Sequence, residues 1–236
     1  MTVAAVILFH SPEGPLADAN GRPAARRIVE SAWAGGATPI VVVAFDPTGA
    51  VAASLAGSPA ILAEPAPVEG GPVAQIARGF DVAAAHVTET DAAFIWPGRM
   101  VWADAETVTT LIEAHGARRE SILRPHFTDE DGWPTLVPMS LLPLLRTQAS
   151  NLMPHEILDA TVAAGASVES IDLGDPGVNH DIATPFDQLP PYQGPAEPGA
   201  GMPPEWGAAA ADMPDDSPLE GPALAPYSQA ADPDSD

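Results

Sequence analysis

The 236-residue sequence contains no cysteine and no lysine. Its only basic side chains are nine arginines, set against 32 Asp and Glu for a formal charge of −23. Without cysteine, disulfides, thiolate nucleophiles and Cys-ligated zinc or iron–sulfur centres are excluded. Without lysine, no mechanism that needs a lysine ammonium can run. The charge balance repels phosphate backbones and anionic lipid, which speaks against nucleic acid and membrane surfaces as partners. Long hydrophobic runs are also missing. Nothing approaches the ~20 apolar residues of a membrane span, and the run from Val3 to Phe9 is short for a signal segment and lacks a basic flank. These absences together predict a soluble, cytoplasmic protein.

The chain is long enough to bury a substantial core without staples, and its acidity is uneven. Residues 191–236 hold nine acids, ten prolines and no arginine in 46 positions, with no apolar period. Such a segment cannot bury enough apolar surface to offset its ordering entropy, so it reads as an acidic, Pro-rich disordered tail. A solubilising role is favoured for it over docking of a protein partner. Residues 1–190 then form the folded domain, with a charge of −14.

That domain alternates strand-like and helix-like stretches. Val3 to Phe9 and Pro39 to Phe45 are continuous, β-branched-rich apolar runs, as expected of strands buried on both faces. Between them Pro23 to Trp33 carries Ala24, Ile28 and Ala32 on one stripe and is closed by Gly35-Gly36, predicting a helix. Asp46-Pro47 has the chemistry of an N-cap followed by Pro at the first helical position, opening a short helix to Leu55. Further strands are expected over residues 60–63, 91–96, 121–124, 135–137 and 168–173. Further helices are expected over 72–85, 104–115 (capped by Asp104, with Gly116 past its end) and 154–164. Repeated βα alternation argues for an α/β fold with a mostly parallel sheet covered by helices on both faces. Ligands of such sheets sit beyond the carboxyl ends of the strands, which singles out loops 9–22, 64–71, 96–103 and 173–188.

Four stretches in these loops carry a resemblance. Val6-Ile7-Leu8, then Asn20-Gly21-Arg22-Pro23, Gly35-Gly36-Ala37 and Val41-Val42-Val43 look like a first βαβ unit with a GxP helix start. Glu69-Gly70-Gly71 precedes a helix holding Gln75-Ile76-Ala77-Arg78-Gly79-Phe80. Asp172-Leu173-Gly174-Asp175-Pro176-Gly177 through Asp181-Ile182-Ala183-Thr184-Pro185-Phe186-Asp187 is the most specific stretch, and Asp131-Gly132-Trp133-Pro134-Thr135-Leu136 is a weaker fourth. The set resembles the MobA/MocA-like nucleotidyltransferases over about residues 3–190, the closing stretch matching their GDPG…DIDTPEDL. The resemblance implies a three-layer, Rossmann-like fold of the glycosyltransferase-A type. It implies transfer of a nucleoside monophosphate from a nucleoside triphosphate, with a molybdopterin-type acceptor in the MocA branch and Mg²⁺ as cofactor. Nucleotide contacts would fall on His10, Ser11, Gly14, Arg22, Gly70, Gly71 and Arg99, and the metal on Asp181.

Phosphoryl chemistry of this kind is mostly positioning and charge neutralisation, and the residues depart from what it asks. Where the family writes a glycine-rich loop ending in lysine, this chain has Leu8-Phe9-His10-Ser11-Pro12-Glu13-Gly14-Pro15-Leu16-Ala17-Asp18. Phe9 and His10 obstruct close backbone approach, Pro12 and Pro15 remove two amide donors, and Glu13 and Asp18 add negative charge. Arg22 is the nearby cation. At the family's first metal-binding aspartate stands Arg99, a guanidinium that repels Mg²⁺; at the second, Asp181 survives while Ala183 replaces the next acid.

Arg99 can hold a phosphate bidentately, or pair with Asp181 and fill the metal position with a salt bridge; the charge arithmetic favours the pair. His10 and His180 are the titratable candidates in the cleft loops, though a polar loop role is favoured for each. Trp96, Trp102 and Trp133 could stack on a base or pterin, with core packing the default for such large rings. Three readings stay open. The chain is an active transferase using atypical residues, a relative with weakened or lost catalysis that still binds ligand or partner, or an interaction protein acting through its acidic tail. The second is favoured.

Overall fold

A computed structural model describes residues 1–194. In chain order its elements are β1 (Val3–Leu8), α1 (Ala24–Ala34), β2 (Ile40–Val43), α2 (Ala50–Ser54), β3 (Ala60–Ala63), α3 (Gly71–His86) and β4 (Ala92–Pro97). There follow α4 (Ala105–Ala117), β5 (Ile122–Phe127), β6 (Glu130–Asp131), β7 (Thr135–Pro138), α5 (Leu142–Leu145), α6 (Pro154–Ala163) and β8 (Val168–Asp172). All belong to one compact unit, and none of these helices is long and apolar enough to cross a membrane.

The strands make one sheet in the order β3-β2-β1-β4-β7-β5, with β8 on β5 and β6 closing a short hairpin onto the end of β5. β3, β2, β1 and β4 run parallel, while β7 lies antiparallel between β4 and β5. The mostly parallel α/β sheet expected from the sequence is therefore present, with one reversed strand inside it.

Continuous apolar runs are required because the central strands serve two cores at once. In β1, Val3, Ala5 and Ile7 face one cluster and Ala4 and Val6 the other, since successive side chains point to opposite faces. The first cluster is covered by α1 through Ala24, Ala25, Ile28, Val29 and Ala32, and by α4 through Val108 and Leu111. The second is covered by α3 through Val73, Ile76, Phe80 and Ala83, and by α6 through Ile157 and Leu158. A Cβ on Gly79 would come within 2.1 Å of Val6 Cγ1, so α3 approaches β1 at a distance only glycine permits.

Two helix ends differ from expectation. Asp46 does cap α2, accepting from the Val51 amide at 3.1 Å and the Ala52 amide at 2.9 Å, but it does so across a turn, and the helix begins at Ala50. Gly116 lies inside α4, which runs on to Ala117. Asp104 takes its expected cap position and accepts from the Ala105 amide.

Candidate functional site

The loops expected to hold ligand leave the carboxyl ends of β1, β3, β4 and β8. The loop after β1 spends many of its backbone donors on itself. The Gly14 amide donates to Ser11 O and Oγ, Leu16 to Glu13 O, Ala17 to Gly14 O and Ala19 to Arg22 O. Gly21 donates to the Asp18 carboxylate at 3.0 Å and Ala24 to Ala17 O at 2.9 Å. A phosphate cradle needs several amides aimed outward and unspent; here Pro12 and Pro15 contribute none and Gly14, Leu16, Ala17, Ala19 and Gly21 are spent within the loop, which leaves the amides of His10, Ser11 and Glu13 without an internal partner. The ring of Phe9 fills the space beside it. A Cβ on Gly98 would meet that ring at 2.3 Å, and one on Gly14 at 3.2 Å. The backbone ladder runs past the plug, Gly98 donating to Leu8 O at 2.8 Å.

The loop after β4 is bound to the segment after β8. Arg99 pairs with Asp181 at 2.5 Å, and the other carboxylate oxygen of Asp181 accepts from the Ala183 amide at 2.8 Å. The Ile182 amide donates to Arg99 O at 2.8 Å. The indole of Trp102 donates to the carbonyls of both Asp181 and Thr184 at 3.0 Å, and its ring lies 5.4 Å from that of Phe186. Upstream, Asp175 is buried and accepts from the Asp104 amide, the Thr107 hydroxyl and the Gly177 amide. Its burial outweighs those bonds and holds its carboxyl above the usual aspartate range.

The structure brings some of the expected site residues together and leaves others apart. Arg99 meets Asp181, and Gly14 meets Phe9 at the β1 end. Arg22 points to Glu30, with which it pairs at 2.5 Å. Ser11 is exposed and bonded to Gly14, and His10 is exposed. Gly70 abuts Ala74. Gly71, at φ +61°, sits so close to the Ser150 carbonyl that a Cβ would come within 1.7 Å of it, which marks a packing point between α3 and the chain before α6. His180 bonds through Nδ1 to Pro176 O at 2.7 Å. Trp96 is a core residue with its indole donating to Met100 O, and Trp133 packs against the second core.

The donor set does not fit Mg²⁺. Octahedral Mg²⁺ wants hard oxygen ligands, and both oxygens of Asp181 are committed, one to a guanidinium standing where a second carboxylate would be needed. Among the described residues no group of three or more His, Asp or Glu is placed to hold a metal.

Arg27 and Asp175 carry no sequence signal for the roles they take in the fold. Arg27 sits one residue after Arg26, and nothing local distinguishes the two. Only the fold brings its guanidinium 4.7 Å from the centre of the Trp102 ring. A shallow open groove of about 460 Å³ also lies between the β1 and β2 loops, lined by Pro12, Leu16, Phe45 and Val51 with Glu13 and Asp46 at its edge.

A mostly parallel sheet of this order, covered by helices on both faces, defines a Rossmann-like α/β domain. The chain belongs to the family of the MobA-like NTP transferase domain, whose sequence profile matches residues 13–164. Among solved structures it is similar to a nucleotidyl transferase from Methanothermobacter thermautotroptrophicus, at 16% identity and TM-score 0.58, over 72% of this chain and 87% of that one. It is likewise similar to Rv0371c of Mycobacterium tuberculosis H37Rv, solved as a manganese complex, at 14% identity and TM-score 0.57, over 73% and 88%. A third is CMP:2-keto-3-deoxy-manno-octonic acid synthetase complexed with CTP, at 14% identity and TM-score 0.56, over 73% and 90%. No curated protein sequence matches.

Proposed function

We propose that this chain is a nucleotidyltransferase-fold protein whose transfer activity is weakened or lost, and that it binds or hands on a ligand in molybdenum-cofactor handling. The observation that carries the reading is the Arg99–Asp181 ion pair at the position where the family resemblance calls for a metal site. The Phe9 ring against Gly98, and the two prolines and internal hydrogen bonds that use up much of the β1 loop's amide donors, support it from the phosphate side. A nucleoside triphosphate or a molybdopterin-type compound is the ligand class the family suggests. Mg²⁺ has no part in this reading. The domain division at residue 190 and the cytoplasmic location belong to the same proposal. The reading of 191–236 as an acidic disordered tail, solubilising in the favoured reading and partner-docking in the other, lies, from residue 195 on, outside the described residues.

Isothermal titration of CTP, GTP and ATP into the full chain, with and without Mg²⁺, tests the proposal alongside an assay for pyrophosphate release. The expected result is that any binding is the same in both conditions and that no pyrophosphate appears. Binding that strengthens with Mg²⁺, or release of pyrophosphate, would sink it.

The ion pair itself is expected to add little to stability. Arg99 is 72% exposed, and exposed pairs contribute about 0–1 kcal/mol. Arg99→Ala should therefore shift the urea unfolding free energy by less than about 1 kcal/mol; a larger loss would show that the pair anchors the closing segment.

A further inference from the structure

Six of the nine arginines, Arg22, Arg26, Arg99, Arg118, Arg124 and Arg146, lie within 4 Å of a carboxylate. In a chain with 32 acids that is the expected fate of an arginine. Arg27 is different. It is half-buried, yet among the described residues no carboxylate lies within salt-bridge reach of it. The nearest acid on its own helix, Glu30, is already held by Arg22 and Arg26, which keep its carboxyl below the usual range. Asp104, the acid on the neighbouring helix, is spent on the cap of α4.

What holds Arg27 is a frame that leaves it without a paired anion. Its Nε donates to Val101 O at 3.0 Å. The guanidinium carbon lies 4.7 Å from the centre of the Trp102 ring and 5.3 Å from that of Phe186. Cation–π attraction at such distances favours the guanidinium, and the Nε bond fixes the direction of the fork. The four N–H donors at the far end of the fork have no partner among the described residues. Burial first and the neighbouring Arg22 charge second work against the cation and outweigh the more distant Asp104 and Glu30 carboxylates, lowering its pKa from the ordinary arginine value. A pre-oriented arginine fork with an aromatic frame and no internal anion is the arrangement that recognises planar or tetrahedral oxyanions bidentately.

We propose that Arg27, held by Trp102 and Phe186, is a binding site for the phosphate or carboxylate group of a ligand that lodges between α1 and the segment after β8. The site is independent of the Arg99–Asp181 pair and of any metal. Phosphate and carboxylate share the bidentate geometry, so the two sources are separated by probe.

Titration of pyrophosphate and, separately, of glutarate into the full chain at low ionic strength tests this. At least one of the two is expected to bind saturably without divalent metal. Tighter binding of pyrophosphate assigns a phosphate ligand, and tighter binding of glutarate assigns a carboxylate. Arg27→Gln should weaken that binding at least tenfold. Arg27→Lys, which keeps the charge and the stem but loses the fork, should weaken it several-fold while leaving the circular dichroism spectrum unchanged. Arg99→Ala should leave it unaltered. No saturable binding of either anion by the wild-type chain, or equal binding by Arg27→Lys and wild type, would overturn the assignment. The NTP titrations bear on turnover and metal dependence, so each reading can fail without the other.

Discussion

Trp102→Ala is expected to be among the most damaging single substitutions in the chain, costing about 3–5 kcal/mol of stability. Trp102 is 6% exposed and joins three elements that are distant in sequence. Its ring supports Arg27 of α1, its face lies against Phe186, and its N–H is shared between the carbonyls of Asp181 and Thr184. The Ala variant loses the packing and leaves a cavity; it also strips the closing segment of its only side-chain donor from this loop besides Arg99. For a folded unit of this size, 1 kcal/mol moves Tm by roughly 2–4 °C, so the midpoint should fall on the order of 10 °C. Trp102→Phe separates the contributions: it keeps most of the ring and loses only the shared hydrogen bond, for about 1 kcal/mol. Urea denaturation of the three proteins measures both steps. A loss below about 1 kcal/mol for Trp102→Ala would mean the segment after β8 is not docked on this side chain in solution.

The same residue shows what the sequence made legible. Strands β1 and β2 could be read directly, because burial on both faces demands an unbroken apolar run and little else in the chain has one. The sense of β7 could not be read. Thr135 to Val137 is too short to carry a period, and its direction is set by the turn that follows β5 rather than by its own side chains. The start of α2 is not legible either, because Asp46 caps the helix from across a turn, and an Asp-Pro pair has the same local chemistry whether its cap is immediate or four residues away. At the site, the Arg99–Asp181 pairing was accessible from charge once the family resemblance brought one base and one acid to neighbouring positions. The role of Arg27 was not, because its partners are two aromatic rings from remote loops, and stacking leaves no pattern along the chain. Asp175 was visible as a motif residue, but its burial and its three donors exist only once α4 and the closing segment meet.

Asp175→Ala is expected to destabilise the fold by about 3 kcal/mol, since two backbone amides, of Asp104 and Gly177, lose their only acceptor in a buried place and the Thr107 hydroxyl must turn elsewhere. The loss has a second signature in its dependence on pH. Burial raises the carboxyl of Asp175 above its ordinary value, with the three hydrogen bonds opposing and losing. Between the unfolded value and the raised folded value, the native state therefore holds a proton that the unfolded chain has released. Stability tied to this group is greatest below that window and declines as pH rises through it. Ala does not titrate, so the difference in unfolding free energy between wild type and variant should narrow as pH climbs from the ordinary aspartate range. Comparing the two proteins cancels the opposite slopes of Glu30 and Asp46, whose carboxyls are held low by Arg26 and by the α2 amides. A difference that instead widened with pH would show that the three donors prevail over burial. Asp175 would then be a buried anion stabilised at the junction of α4 and the closing segment, and its charge would strengthen that junction at neutral pH instead of weakening it.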